Sequence, residues 1–341
     1  MILSIDMGSH NLHLVEGRVR DRTVEIVHAT VQPMAQGTLV DGVVKDHAGI
    51  EMAIRSALAK NSFRSTGTIV TINSTQILIK ELEIPVAGPK ETADMVRFEI
   101  LQSSGGSKDL VVQSVSSGTS TTPKGAKVSK VHAMALQQEL VSDYYQMLKN
   151  VKLSPIALDV HQNALVKLFS GGLVNDRPME GRSVILVDLG ATSTSVYIFT
   201  NGILAYSRLL PVGCSEVERY LILQRNGEGA DHGKSLSDFD LTVDALRANT
   251  ELADIVRPFF NMVSDGIQRI IQYHKGRIDS FAPDDIFLFG GATAYKGMPQ
   301  TLGSILNMSV EAIRTMSRIQ APKDVRIADF INACGAMIRL D

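Results

Sequence analysis

The chain has 341 residues, of which 44% are hydrophobic and 21% are charged, and its formal net charge is −2. This length and apolar content predict a large core and two domains, whereas the near-neutral charge gives no reason to expect nucleic-acid binding. No apolar run is long enough to span a bilayer, and Met1 enters the first predicted strand without a signal peptide. Cys214 and Cys334 are far apart in the sequence, which is typical of a reducing compartment. We therefore expect a cytoplasmic protein.

The first predicted element is a buried strand over residues 2–5, and a polar turn follows it. The turn reads Asp6-Met7-Gly8-Ser9-His10-Asn11 and leads into a second apolar strand over residues 12–15. A carboxylate at the end of a buried strand suits Mg²⁺, which keeps much of its hydration shell. A glycine two residues later lets the backbone approach a ligand closely. A single copy of this motif is more typical of an ordinary turn, because Asp and Gly are common turn residues.

The rest of the first half contains an inserted block. Residues 23–27 are predicted to be the third strand of a meander. Ile50, Ile54 and Leu58 recur at helical spacing, and strands are predicted over 68–72 and 77–84. The stretch from about 83 to 152 then predicts a helix, two strands and a helix. The two strands are joined by a polar hairpin loop over residues 116–125.

The strand-and-turn motif recurs in the second half. Asp188 follows Asp6 by 182 residues (188 − 6) and comes after the apolar run at 184–187. Its turn consists of Gly190, Ala191, Thr192 and Ser193. A repeated strand–turn–strand unit predicts two similar halves that face each other across one ligand. The successive N–H groups and short hydroxyl side chains of both turns suit the phosphates of one nucleotide.

A third turn follows the predicted strand at 285–289. It carries Gly290, Gly291 and Ala292 and leads through Lys296 into a helix. Paired glycines let a ribose or a flat ring lie against bare backbone. In isolation this is an ordinary strand-to-helix loop. After the two phosphate-loop candidates, it predicts a nucleoside site.

These three motifs, in this order, resemble the phosphate-1, phosphate-2 and adenosine motifs of the actin-like ATPases. The resemblance implies an α/β fold in which two RNase H-like domains surround a cleft that binds ATP and Mg²⁺. It implies that Asp6 and Asp188 orient the waters of the metal ion. It assigns the phosphates to Gly8, Ser9, His10, Asn11, His13, Gly190, Ala191, Thr192 and Ser193. It assigns the adenosine to Gly290, Gly291, Ala292 and Lys296.

Two helices rich in small residues resemble the hinge helices of the same superfamily. They lie near residues 159–165 and 327–338. The resemblance implies that Gln162 or Asn163, on the first helix, positions an attacking water. Both helices are equally compatible with ordinary core helices, because Ala has the highest helix propensity.

The position of the inserted block indicates which family within this superfamily the sequence resembles. A block inserted at this position resembles subdomain 1C, of the SHS2 type, which is typical of the cell-division proteins FtsA and the pilus proteins PilM. The segment Leu82-Glu83-Ile84-Pro85 is similar to PilM sequences. FtsA ends in a basic amphipathic helix that binds membrane, whereas this sequence stops soon after the second hinge helix, which favours the PilM family. The resemblance implies a first domain over residues 1–180, with 1C at about 83–152. The second domain covers 181–341, with a 2B insertion at about 214–250 and a C-terminal helix over 325–341 that returns to subdomain 1A.

Three departures from the family pattern affect the nucleotide chemistry. His13 stands where many relatives have a phosphate-binding lysine, and Gly213-Cys214 stands where PilM proteins usually have two glycines. Residues 230–234 are a remnant of an acidic-and-lysine motif, from which the resemblance assigns Asp231 and Lys234 to the ribose and adenine. A glycine-containing surface loop is an equally open interpretation of that segment. Because neutral imidazole is a poorer phosphate partner than ammonium, we expect slow turnover at most.

The resemblance implies a cytoplasmic scaffold of type IV pilus assembly, held at the inner face of the cytoplasmic membrane by a partner rather than by direct insertion. The expected partner is the N-terminal tail of a PilN-type membrane protein, bound between subdomains 1A and 1C. Contacts with pilus motor ATPases and self-association stay open. A nucleotide-free scaffold and an FtsA-like or filament-forming protein are the alternatives. A sugar-kinase-type phosphotransferase is disfavoured, because we find neither a catalytic Asp near the first turn nor a large substrate insertion.

Overall fold

A computed structural model describes residues 1–104, 109–121, 125–215, 217–218, 239–276 and 281–339. The chain forms two α/β halves, and the first is built on a six-stranded sheet of order β10-β6-β1-β2-β3-β18. The elements of this half are β1 (Ile2–Met7), β2 (Asn11–Arg20), β3 (Thr23–Pro33), β4 (Leu39–Val40), β5 (Val43–Val44), α1 (His47–Lys60), β6 (Gly67–Ile72), β7 (Leu78–Pro85), α2 (Pro89–Ser103), β8 (Leu110–Thr121), β9 (Lys127–Gln137), α3 (Gln138–Asn150), β10 (Ser154–Val160) and α4 (His161–Phe169).

The second half is built on a five-stranded sheet of order β15-β14-β13-β16-β17. Its elements are β11 (Leu173–Val174), β12 (Arg177–Pro178), β13 (Ser183–Leu189), β14 (Thr194–Thr200), β15 (Ile203–Leu210), α5 (Val243–Ala248), α6 (Thr250–Lys275), β16 (Asp285–Phe289), α7 (Met298–Leu306), β17 (Val310–Ala312), β18 (Ile319–Gln320) and α8 (Ile331–Met337). The short strand β18 leaves this half and pairs with β3 of the first sheet. Most of the predicted 2B insertion lies outside the described residues.

The predicted duplication is visible in the strand pairing. In the first half β1 pairs antiparallel with β2 and parallel with β6. In the second half β13 pairs antiparallel with β14 and parallel with β16. Asp6 is opposite His13 in one hairpin, and Asp188 is opposite Ser195 in the other. The two aspartates therefore occupy equivalent positions, each at the end of a buried central strand.

The inserted block is a small layer with its own core. Its sheet has the order β7-β9-β8, so β7 and β8 are the edges, and α2 packs across it. Leu82, Ile84, Val96, Ile100 and Val131 belong to this core. Strand β7 begins at Leu78, ahead of the predicted boundary near residue 83. Strand β8 continues through Thr121, opposite Lys127, which corrects residues 116–121 of the predicted hairpin loop at 116–125. The Ser and Thr residues there mark an exposed strand, because Thr is well accommodated in β structure. Residues 122–124 of that loop lie outside the described residues.

Two hinge helices, α4 and α8, cross between the halves, and the first residues of both reach the cleft. At the crossing, a Cβ added to Gly335 in α8 would lie 2.3 Å from the carbonyl oxygen of Ala164 in α4. Only glycine permits this approach. One hydrophobic core continues through the region and includes Val15 of the first sheet, Phe199 of the second and Phe330 beside α8. The two halves therefore share a core beneath the cleft. Among the described helices, none is both long and apolar enough to cross a membrane.

Candidate functional site

A cleft of about 770 Å³ opens between the two halves, where the equivalent ends of β1 and β13 meet. This volume is in the usual range for small-molecule sites. The cleft is lined by the predicted residues Asp6, Gly8, Ser9, His10, Asn11, His13, Asp188, Gly190, Ala191, Thr192, Ser193, Gly290, Gly291 and Ala292. The sequence motifs are thus brought together on one surface. Their predicted roles in binding stay predictions.

The turns after β1 and β13 have the same backbone geometry. A Cβ added to Gly8 would lie 2.7 Å from the carbonyl oxygen of Asn11, and one added to Gly190 would lie 2.8 Å from that of Ser193. Glycine is therefore required at both positions because the turn leaves no room for a side chain, not because the backbone must be flexible there. The Oγ of Ser9 lies 2.9 Å from the Oγ1 of Thr192, so the two turns contact each other across the cleft.

The floor of the cleft holds one histidine between the two aspartates. His161 is the first residue of α4, and its Nε2 lies 2.7 Å from Asp6 Oδ1. Its Nδ1 lies 3.6 Å from Asp188 Oδ2. Asn332 of α8 donates to Asp188 Oδ2 at 2.9 Å and to Asp6 Oδ2 at 3.4 Å. Four elements from both halves thus converge on one small polar cluster.

The electrostatics of this cluster favour an ionised pair. Burial opposes the charge on His161, but the Asp6 carboxylate, its hydrogen bond to the ring and the nearby Asp188 carboxylate outweigh it and raise the pKa of His161 to about 10. Burial likewise opposes the charge on Asp6, yet the charge and hydrogen bond of His161 hold the pKa of Asp6 below its ordinary value. Each member of this pair therefore favours the charged form of the other.

This arrangement does not suit direct ligation of Mg²⁺ by the two aspartates, and their expected role in orienting the waters of the ion stays a prediction. Mg²⁺ needs near-octahedral oxygen ligands at about 2.0–2.1 Å and retains several waters. Asp6 Oδ1 is engaged by His161, and Asp188 Oδ2 is engaged by Asn332. Asp188 Oδ1 faces Gly290, where an added Cβ would approach it to 2.5 Å. Among the described residues, no group of three or more His, Cys, Asp or Glu side chains is arranged to hold a metal ion.

The two residues predicted to position a water do not line the cleft. Gln162 accepts a hydrogen bond from Ser207 Oγ at 2.8 Å, and Asn163 donates to Asp159 Oδ1 at 2.7 Å. Asp159 also accepts from the buried Lys167 at 2.5 Å. His161, which the sequence analysis missed, is the residue of this helix that faces the cleft. Its position directly after the buried end of β10 was a usable signal, because ligands bind at the carboxyl ends of parallel strands.

A second polar group lies beside the phosphate-loop candidate of the second half. The N–H groups of Cys214 and Ser215 donate to the carbonyls of Gly190 and Ala191 at 3.1 and 2.8 Å. A Cβ added to Gly213 would lie only 2.2 Å from the carbonyl oxygen of Ala191, so this position requires glycine. The segment after β15 therefore holds the turn at 190–193 from behind.

Glu218 joins this segment to the first half and was also missed from the sequence. It accepts a hydrogen bond from Tyr295 Oη at 2.7 Å, and its Oε2 lies 3.8 Å from His10 Nδ1. Burial opposes its charge, but the nearby His10 and hydrogen bonds from Tyr295 and Cys214 lower the pKa of Glu218. Nothing in the local pattern around Glu218 signals these contacts.

The adenosine candidates divide into two groups. Gly290 has φ of 90°, a left-handed value that favours glycine, and Gly291 has open space where a side chain would stand. Lys296 is directed away from the cleft and pairs with Asp240, and it is not among the lining residues. The hydrogen bond from Lys296 lowers the pKa of Asp240 to about 2. Asp231 and Lys234 lie outside the described residues.

Comparisons with known proteins agree with this architecture. The chain is similar to a solved PilM-PilN type IV pilus biogenesis complex, with 18% identity, coverage of 98% of this chain and 96% of that chain, and a TM-score of 0.74. It is also similar to the ethanolamine utilization protein EutJ of Carboxydothermus hydrogenoformans, with 12% identity, coverage of 98% and 88%, and a TM-score of 0.56. The cell division protein FtsA of Bacillus subtilis (strain 168) is 19% identical over 361 residues, covering 96% of this chain and 80% of that protein.

The duplicated sheets around one cleft and these neighbours define an actin-like ATPase fold with an inserted SHS2-type subdomain. This confirms the predicted fold class. The sequence model of the family described as type IV pilus assembly protein PilM matches residues 4–337. The chain therefore belongs to the PilM family of type IV pilus assembly proteins.

Proposed function

We propose that this protein is a nucleotide-binding scaffold of the type IV pilus inner-membrane assembly complex. ATP is the proposed ligand of the cleft, and the short cytoplasmic tail of a PilN-type membrane protein is the proposed partner. The observation that carries the proposal is the contact of two equivalent turns, one from each half, at Ser9 and Thr192. A ligand that contacts both turns favours one relative position of the halves.

The cleft supports nucleotide binding through backbone as much as through side chains. The turns at Gly8 and Gly190 present N–H groups and hydroxyls of the kind that bind phosphate oxygens. Gly290 and Gly291 leave backbone exposed on the opposite wall, where a ribose or a ring can lie. We propose binding rather than rapid turnover, because a scaffold needs only a difference in nucleotide affinity between two conformations.

The proposed tail site is the free edge of β7 in the inserted subdomain. The sheet order leaves β7 and β8 as edges, while β9 is paired on both sides. β8 carries a register shift between Ser116 and Gly118, and such bulges oppose pairing with another strand. β7 pairs with β9 without a shift. An extended peptide can add to such an edge through main-chain hydrogen bonds.

The inserted subdomain also has exposed apolar side chains, one of them directly after β7. Val86, directly after β7, is 54% exposed, and Phe98 on α2, which packs against this sheet, is 59% exposed. Large apolar side chains at such exposure suit the side-chain pockets of a peptide site. Contacts with pilus motor ATPases and self-association remain predictions from the family resemblance.

Heating the protein with and without ATP tests the nucleotide part. A ligand that binds only the folded state raises the melting temperature, and at a concentration of about 100 times Kd it adds about 2.7 kcal/mol of stability. We expect a rise with ATP and a smaller one with adenosine, which lacks the phosphates. An unchanged melting temperature with millimolar ATP, with or without Mg²⁺, would instead support the nucleotide-free scaffold.

Cross-linking tests the tail site without disturbing the fold. Glu81→Cys marks the β7 edge and Gln113→Cys marks the β8 edge, and both positions are exposed. The native Cys214 and Cys334 are buried. A PilN-type tail peptide that carries one cysteine should form a disulfide with the β7 variant in preference to the β8 variant. Arg247→Cys, exposed on α5 of the second half, is the matched control. Disulfide formation between the peptide and the Arg247→Cys variant alone would place the partner site on the second half.

A further inference from the structure

The end of the first half that lies opposite the cleft carries an excess of exposed basic side chains. Strand β1 runs from this end to the cleft, β6 and β10 run parallel to it, and β2 and β3 are joined by a turn at this end. The segments that meet here are 17–25, 60–67 and 152–156. Their exposed basic side chains, which we name the basic end, are Arg18, Arg20, Arg22, Lys60, Arg64 and Lys152. The exposed acidic side chains of the same segments are Asp21 and Glu25.

Backbone hydrogen bonds bring the three segments onto one surface. The N–H of Arg64 donates to Glu16 Oε1 in β2 at 2.8 Å, two positions before Arg18. The N–H of Ser154 donates to the carbonyl of Thr66 at 2.8 Å. Among the described residues, no carboxylate forms an ion pair with a side chain of the basic end. The positive charge of this surface is therefore not neutralised within the protein.

The equivalent hairpin of the second half lacks this charge, although it has the same turn. Asp21 and Arg22 form a two-residue turn with φ of 47° and 61°, and Asn201 and Gly202 form one with φ of 53° and 73°. Such turns favour Asn and Gly, because both positions have positive φ. Burial and the nearby charge of Arg22 also lower the pKa of Arg318, which lies just before β18. The fold therefore does not require an arginine at position 22.

The chemistry of the basic end fits the headgroups of anionic lipids. Guanidinium groups bind phosphate oxygens through paired N–H donors, and clusters of basic side chains are attracted to anionic membranes. Ile156, on the edge strand β10, is 51% exposed, and its Cδ1 would lie 3.0 Å from a Cβ added to Gly67. An exposed apolar side chain beside basic ones suits the boundary between headgroups and acyl chains, whereas a nucleic-acid backbone offers it no apolar contact.

We propose that the basic end binds the anionic lipid surface of a membrane through the phosphate groups of the lipids. The choice of a membrane over other polyanions rests on the proposed place of the protein in an inner-membrane complex. The cleft lies at the opposite end of the same strands, so nucleotide and lipid use separate surfaces. Because a bound membrane-protein tail keeps the protein close to the bilayer, weak lipid contacts suffice to orient it.

Co-sedimentation of the full-length protein with vesicles tests the proposal and needs neither ATP nor a tail peptide. The vesicles consist of phosphatidylcholine alone or of an equal mixture of phosphatidylcholine and phosphatidylglycerol. Two variants each remove three charges of the basic end: Arg18→Gln with Arg20→Gln and Arg22→Gln, and Lys60→Gln with Arg64→Gln and Lys152→Gln. The matched control removes three exposed charges elsewhere: Lys90→Gln with Arg97→Gln and Arg247→Gln.

We expect the unmutated protein to sediment with the anionic vesicles only and to be released by high salt, which screens exposed charges. A basic residue near an anionic surface raises the affinity about fivefold, so each triple variant should bind about 100-fold more weakly. The control should change the affinity less than ~3-fold. Arg22→Gly alone should weaken binding about fivefold without lowering the melting temperature, because glycine is favoured at positive φ. A purely structural arginine would instead lower the melting temperature and leave lipid binding unchanged.

Equal binding to both kinds of vesicle, or an equal loss in the control, would overturn the inference. Tighter binding to a DNA duplex of mixed sequence than to the anionic vesicles would make a nucleic acid the ligand and overturn the lipid assignment. Absence of vesicle binding by a protein that binds ATP and the tail peptide would overturn this inference alone. Vesicle binding that depends on the basic end, without ATP or tail binding, would overturn only the proposed function.

Discussion

The hydroxyl oxygens of Ser9 and Thr192 lie 2.9 Å apart, although 183 positions separate them in the chain. Each belongs to a turn that follows the central strand of its own half. Their contact lies at the cleft, and it uses hydroxyl groups that we propose as phosphate ligands. A bound phosphate would accept hydrogen bonds from both hydroxyls. The state of this contact therefore links ligand binding to the relative position of the halves.

Thr192→Val tests this link. The substitution keeps the shape of the side chain and removes one hydroxyl, and a net hydrogen bond contributes about 0.5–1.5 kcal/mol. We expect ATP affinity to fall about 3- to 10-fold, with adenosine affinity unchanged. Thr200→Val, at the far end of β14, the strand that follows this turn, is the control. An equal loss for ATP and adenosine would remove Thr192 from the phosphate site.

Gly213→Ala should disrupt the second phosphate turn. The new Cβ would lie 2.2 Å from the carbonyl oxygen of Ala191, which is backbone and cannot rotate away. Overpacking of this kind costs about 1–3 kcal/mol. We expect a lower melting temperature and a clear loss of ATP affinity. Gly88→Ala, where nothing lies within 4 Å of the added atom, should change neither quantity. If Gly213→Ala binds ATP normally, the turn at 190–193 is not part of the ligand site.

Lys167→Met should be strongly destabilising. Lys167 is 4% exposed and donates to Asp159 at 2.5 Å. Burial lowers the pKa of Lys167, although the neighbouring Asp159 carboxylate opposes this. Removing one partner of a buried pair leaves the other charge unpaired, at a cost of about 3–5 kcal/mol. Urea unfolding measures the loss, and Lys90→Met at an exposed position of α2 is the control. A loss no greater than that of the control would show that water reaches Asp159.

Glu16 should make the stability depend on pH in the acid range. The buried Glu16 accepts hydrogen bonds from the N–H groups of Arg64 and Ser65 at 2.8 and 2.6 Å. Burial opposes its charge, but these hydrogen bonds outweigh it and hold the pKa of Glu16 below its ordinary value of 4.5. Its stabilising contribution is therefore complete above pH 4.5 and is lost as the pH falls through the lowered pKa of the folded state.

Glu16→Gln measures this contribution. The amide keeps one acceptor oxygen but loses the charge, and hydrogen bonds to charged groups contribute about 1.5–3 kcal/mol. We expect Glu16→Gln to lower the melting temperature at pH 7. The further fall of the melting temperature between pH 5 and pH 3 should be smaller in this variant than in the unmutated protein. The exposed control Glu25→Gln should change neither quantity. An acid response identical in Glu16→Gln and the unmutated protein would contradict the assignment.

ATP turnover should be slow or absent. His13 stands where a lysine is expected, and its ring lies 3.8 Å from Asp6 and packs edge-on against Phe330. The γ-phosphoryl group then lacks the ammonium that stabilises its developing charge in many phosphotransfer sites. We expect a steady-state rate well below ~1 per second. Phosphate release that survives in Gly213→Ala would indicate a contaminating enzyme. A rate of ~1 per second or faster, absent from that variant, would make the protein a competent ATPase.

The order of apolar and turn-forming residues was sufficient to predict the strand-and-turn motifs, because strands and turns are specified mainly by residues that are neighbours in the sequence. Buried runs before Asp6 and Asp188 predict central strands, and glycines two residues later predict close turns; the structure has both. The helix around Ile54 and its buried face were predicted from spacing alone and are confirmed. In contrast, residues 116–121 were wrongly predicted as part of a loop and belong to β8, since exposure and turn formation favour similar residues.

Tertiary structure decided which side chains meet in the cleft. Successive residues of a helix differ by about 100° in direction, so His161 faces the cleft while Gln162 and Asn163 are directed elsewhere, and the sequence cannot fix that orientation. The contacts of His161 with Asp6 and of Asn332 with Asp188 join residues 155 and 144 positions apart. Such contacts depend on how two sheets are placed about a shared core, not on local preference. The sequence alone thus determined a duplicated strand-and-turn fold, and only the folded chain determined that a histidine ring lies between its two aspartates.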